Sequence, residues 1–109
     1  MDLKRLARER GFSYSEFSNL VDIFIDVTKK DISLLERAIQ ENDMAAAEDA
    51  AHSLKGSAGN MGFLELAKAA KAAETYAKES KSELVKQETM VIKEMFGSIV
   101  SGCRGMEST

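Results

Sequence analysis

The only histidine of the 109-residue chain, His52, sits in the run Ala51-His52-Ser53-Leu54-Lys55-Gly56-Ser57-Ala58-Gly59-Asn60-Met61-Gly62, which also holds three of the seven glycines. Imidazole is the side chain best suited to act as a neutral nucleophile near pH 7, taking up a transferable group on one ring nitrogen. Lys55, one helical turn away, adds a positive charge beside it. Gly56 and Gly59, four and seven residues on, carry no side chain, so another protein's surface can come down close to the ring. Inside a helix each glycine costs about 1 kcal/mol relative to alanine, and access to His52 accounts for them better than helix stability does. These residue types together suit a charged group travelling to or from imidazole.

Such a site needs a platform, and the spacing of apolar residues supplies one. Met44, Ala47, Ala51, Leu54, Ala58 and Met61 draw a stripe at alternating intervals of three and four, the signature of a helix with one buried face. On that helix His52, Gly56 and Gly59 point away from the stripe, into solvent. Asp43 is placed to cap its start and to set negative charge at the positive end of its dipole. The helix ends around Asn60 to Gly62.

The remaining elements are helical too. Proline is absent, strand-type alternation is missing, and Ala, Glu, Lys, Leu and Met dominate. A short first helix is expected over Asp2 to Arg10, with Leu3, Leu6 and Ala7 as its apolar edge and Gly11 as its stop. Ser15 is the expected N-cap of a long helix to about Glu41, with Phe17, Val21, Phe24, Thr28, Ile32, Leu35 and Ile39 inside; Leu20, Ile25, Leu34 and Ala38 widen that face. A further helix begins near Phe63 and buries Phe63, Leu66, Ala70, Ala73 and Ala77, turning Lys68, Lys71 and Lys78 outward. Its alanines would let it pack closely on the histidine helix. Ser80 and Glu83 fit a capping box that opens the last helix, which would bury Val85, Ile92, Phe96 and Ile99 and end at Gly102 and Gly105. The expected fold is all-α: an antiparallel up-down four-helix bundle with a short extra N-terminal helix. It forms a single domain over residues 1–109, with its core at about 15–103 and residues 106–109 frayed.

The run His52-x-Leu54-Lys55-Gly56, followed by Gly62, resembles the signature of histidine-containing phosphotransfer (HPt) domains, the intermediate carriers of phosphorelays. The resemblance extends to Phe24, Ile32, Leu35 and Ala38 upstream, to Asp43, and to Leu66, Ala73 and Glu74 downstream, and so covers most of the chain. It implies that His52 takes a phosphoryl group from the aspartyl phosphate of a receiver domain and passes it to a second receiver's aspartate. Lys55 would stabilise phosphoryl charge, and Gly56 and Gly59 would admit the partner. Two acids are candidates for orienting the ring. Glu48 lies four residues before His52 on the same side, and Glu74 occupies a position where relatives carry Gln or Glu facing the histidine helix.

Other classes fare less well. A net charge of -3 is of the wrong sign for a phosphate-backbone binder, so nucleic acid is not expected as a partner. No stretch reaches the ~18 apolar residues that would span a bilayer, no targeting segment opens the chain, and the lone Cys103 fits a reducing compartment, so a cytoplasmic protein is expected. No carboxylate cluster is spaced for Mg²⁺ and no phosphate-binding loop is present, so the chain is expected to hold no metal or cofactor of its own, with Mg²⁺ on the partner receiver. It is accordingly expected to be a phosphocarrier, not an enzyme, and a monomer; the six methionines are core filler or surface scatter. The rival readings are a helical adaptor that binds a kinase or receiver without carrying phosphate, and a histidine domain serving as substrate of a chemotaxis-type kinase.

Overall fold

A computed structural model of the protein describes residues 3–107, with side chains described from residue 4 to residue 103. Five helices follow in order: α1 (Leu3–Glu9), α2 (Tyr14–Gln40), α3 (Met44–Met61), α4 (Leu64–Lys78) and α5 (Ser82–Glu107). Each of α2 to α4 packs on its successor, and α2 meets α5 to close the bundle, while α1 leans on α2. Connections of only a few residues between consecutive long helices force the antiparallel arrangement. No strand occurs among the described residues.

Four of the five helices end in the same way, and the backbone explains where. Gly11, Asn42, Gly62 and Ser80 all have positive φ, from 53° to 81°. After each, the next N–H reaches back to a carbonyl of the finished helix: Phe12 to Ala7, Asp43 to Ala38, Phe63 to Ala58 and Lys81 to Tyr76, at 2.8–2.9 Å. This is the Schellman closure, which satisfies the orphan carbonyls of the last turn.

Two capping expectations are corrected. The N-cap of α2 is Ser13, not Ser15: Ser13 Oγ accepts from the Glu16 N–H at 3.2 Å and donates to Glu16 Oε1 at 2.8 Å. A cap serves a donor two or three positions later, and Glu16 stands three after Ser13 but one after Ser15. Ser80 does not open α5, because as the left-handed residue that closes α4 it lacks the extended backbone an N-cap requires. The last helix also runs through Gly102 and Gly105 to Glu107. Glycine stops a helix when it turns to positive φ, and among the described residues only Gly11 and Gly62 do so. Asp2, expected in the first helix, and Ser108 and Thr109, expected to be frayed, lie outside the described residues, as does the side chain of Leu3.

The core is contiguous from Ala7 to Cys103, and so reaches upstream of residue 15. The expected stripes enter it, except that Leu6, Leu20, Ile25, Ile39, Met44 and Met61 are only half-buried and Leu34 is exposed. The centre of α3 against α4 is built of small residues, Ala47, Ala51 and Ala58 facing Ala69, Ala70, Ala73 and Ala77, all buried. Small side chains let the two helix axes approach closely. That approach brings a carboxylate of α4 within reach of α3.

Candidate functional site

His52 stands on the outward face of α3 with 70% of its side chain exposed, while Glu74, from the buried face of α4, keeps only 10%. Glu74 Oε2 lies 2.6 Å from His52 Nδ1. Its other oxygen, Oε1, accepts a hydrogen bond from Lys55 Nζ at 2.8 Å. A single nearly buried carboxylate thus holds both the imidazole and the ammonium, which belong to one face of α3 by their spacing of three.

The charge state of Glu74 follows from these contacts. The hydrogen bond from Lys55 is the largest influence and holds the carboxyl below the ordinary value of 4.5; burial pushes the other way, and the bond with His52 adds to the lowering. An ionised carboxylate only accepts. His52 Nδ1 must then carry the ring proton, which leaves Nε2 of a neutral ring with a lone pair, on a side chain open to solvent.

Of the two acids expected near the ring, the structure brings Glu74 to it. Glu48 remains half-buried on α3, with no hydrogen bond to His52. Along one helix an i, i+4 pair depends on flexible side chains meeting over a turn, whereas Glu74 is fixed by the packing of α4. Lys55 is beside the ring as expected, but its charge is engaged by Glu74, so its direct effect is on that carboxylate. Gly56 is exposed and Gly59 half-exposed, and a Cβ added to either would meet nothing within 4 Å. No closely packed neighbour requires a glycine at these positions, which accords with an open approach to the ring.

Two residues near the site were not anticipated. Asp31 of α2 is 7% exposed and accepts a hydrogen bond from Ser53 Oγ at 2.7 Å, tying α2 to α3 at the residue after the histidine. A signal existed, because position 31 continues the interval of three and four through Phe24, Thr28 and Leu35. Arg10 donates from Nη2 to the Gly59 carbonyl at 3.0 Å. Nothing in local spacing links residues so far apart in sequence. Among the described residues no group of three or more His, Cys, Asp or Glu is arranged to hold a metal ion, and no helix is long and apolar enough to cross a membrane.

The bundle thus presents one solvent-facing imidazole bonded to a nearly buried carboxylate. Comparison with protein families supplies the class: the Hpt domain family matches residues 19–102, and the chain belongs to that family. Hpt domains carry out histidine phosphotransfer in two-component signalling, acting as phosphocarriers that interact with receiver domains and kinases. Comparison with curated proteins and with solved structures returned no match.

Proposed function

We propose that this protein is a phosphorelay intermediate in which His52 Nε2 accepts a phosphoryl group from a receiver domain's aspartyl phosphate and passes it to the aspartate of another receiver. The observation that carries this is the bond from His52 Nδ1 to the nearly buried Glu74, which leaves Nε2 free at the surface. The Nε2 lone pair attacks phosphorus in line; the N–P bond forms as the P–O bond to the aspartate breaks, and the carboxylate leaves with the electron pair. No proton is lost from the ring, so positive charge develops on the imidazole. Glu74 faces that charge across the Nδ1–H bond and stabilises it. Lys55, bonded to the other carboxylate oxygen, holds Glu74 in place. Transfer to the second receiver reverses these steps.

The chain contributes the nucleophile, its orienting carboxylate and open access at Gly56 and Gly59. Mg²⁺ and the groups that polarise the aspartyl phosphate belong to the partner, so transfer occurs only in the complex. The direct test is incubation with a phosphorylated receiver domain, followed by analysis for acid-labile, base-stable label. Label on the wild-type protein that is absent from His52→Gln establishes the carrier chemistry. A folded wild-type protein that binds a receiver but never takes label is instead an adaptor.

A further inference from the structure

Arg10 is pinned at both ends. As the C-cap of α1 its backbone N–H bonds to Leu6 O and Ala7 O, and the closure at Gly11 and Phe12 fixes the turn behind it. Its side chain crosses to the far end of the histidine helix, where Nη2 meets Gly59 O at 3.0 Å. The guanidinium occupies the space a side chain at Gly62 would need: an ideal Cβ there would lie 2.8 Å from Nη2 and 3.2 Å from Nε. The glycine makes the seat.

Among the described residues the seated cation has no counter-ion. Arg5 and Arg37 are each paired with a glutamate one turn on, at 3.1 and 3.0 Å, whereas among the described residues Arg10 has no carboxylate partner. It is exposed, and one carbonyl takes only one of its five donors. Within α3 the charges are divided by position. Glu48 and Asp49 precede His52, and no acid follows it as far as Gly62; Lys55 follows it but shares its charge with Glu74. Arg10 therefore places an uncompensated planar cation beyond the side of His52 that Gly56 and Gly59 leave open.

Resting on the transfer function proposed above, we infer that Arg10 is a docking residue that pairs with a carboxylate of the incoming receiver and sets its orientation along α3. The partner presents carboxylate chemistry where it reacts, since a phosphorylated or free aspartate and the acids that hold its Mg²⁺ lie there. A guanidinium fork suits a carboxylate, and a held one loses little freedom on binding. The acids ahead of His52 repel the same surface, so the receiver is drawn toward the Gly56 to Arg10 end.

Transfer from a receiver domain charged with acetyl phosphate should be timed at several salt concentrations for the wild type, Arg10→Gln and Arg10→Lys. Labelling of His52 by phosphoramidate, which needs no docking, and thermal melting should be measured alongside. Gln keeps a donor for Gly59 O but no charge, and Lys keeps the charge. Docking predicts that Arg10→Gln loses about 3- to 10-fold in kcat/KM at low salt with a flatter salt dependence, that Arg10→Lys retains most of the rate, and that phosphoramidate labelling is unchanged in both. Equal rates for Arg10→Gln and wild type at every salt overturn the inference. So does a parallel fall of both variants in melting temperature and phosphoramidate labelling, which marks Arg10 as a structural clasp alone. Failure of the transfer function itself looks different: the wild type then takes no label from any receiver, and both proposals fall.

Discussion

Glu74 on α4 and His52 on α3 are joined at 2.6 Å across the interface between their helices, with the acid nearly buried and the imidazole largely exposed. That asymmetry divides the work, because the packed partner is fixed and the open one can meet another protein. If Glu74 sets the tautomer, Glu74→Ala should release it. Nitrogen NMR of the ring should show Nδ1–H as the dominant neutral form in the wild type and a mixture in the variant. The transfer rate should fall by on the order of 10²-fold, as misplacement of a reacting group does. Glu74→Gln should suffer much less, because its amide oxygen can still accept from Nδ1–H. An unchanged tautomer ratio in Glu74→Ala would remove the orienting role.

The same contacts make a statement about acid stability. Glu74 is held below its ordinary value of 4.5, by Lys55 first and His52 second. A carboxyl whose folded pKa is depressed contributes stability that is fully present above its unfolded value and is lost as pH falls through the folded value. The stability gap between wild type and Glu74→Gln should therefore be present above about 4.5 and narrow as pH falls below it. Denaturant melts at a series of pH values check this. A gap that persists unchanged well below that range would mean the bonds to Lys55 and His52 contribute little.

The glycines of α3 should separate by environment. Gly56 and Gly59 are helical, with open space where a Cβ would stand, so Gly56→Ala and Gly59→Ala should each stabilise by roughly 0.5–1 kcal/mol. Gly56→Phe should fold as well as the wild type and block transfer, because the ring rises beside His52. Gly62→Ala should instead destabilise by about 1–2 kcal/mol, since its φ of 81° opposes a side chain. Thermal melts rank the variants. Normal transfer by a folded Gly56→Phe would refute the account of access.

Much of the fold was legible because amphipathic periodicity in a proline-free chain leaves few options. The stripe from Phe17 to Leu35 and the alanine face of α4 follow directly from intervals of three and four. Helix ends were harder. Ser80 and Ser15 have the residue type of a cap, but only backbone conformation decides whether a serine caps a start or closes an end, as the φ of 56° at Ser80 shows. Gly102 reads as a stop, yet remains helical. At the site, the outward placement of His52, Lys55 and Gly56 is a property of one helix and was readable from it. The contact with Glu74 depends on how closely two helices pack; spacing pointed to Glu48, and Glu74 was suggested only by the family resemblance. The seat of Arg10 on Gly59 and Gly62 is tertiary throughout and left no local trace.

A final expectation concerns the core beneath this site. Thr28 is fully buried on α2, and its Oγ1 finds no hydrogen-bond partner. Thr89, the other buried threonine, donates to the Val85 carbonyl one turn back at 2.7 Å and so is satisfied. An orphaned hydroxyl carries its desolvation penalty without return, so replacing it by a methyl of similar shape should be favourable. Thr28→Val should stabilise the bundle by about 1 kcal/mol, while Thr89→Val should be neutral or destabilising, because it discards a bond already made. Both are buried in the core while His52 stands on the exposed face of α3, so neither should alter the rate of phosphoryl transfer. Equilibrium unfolding in denaturant, with the slope checked for constancy, measures the pair. A destabilised Thr28→Val would mean that a buried water satisfies the hydroxyl in solution.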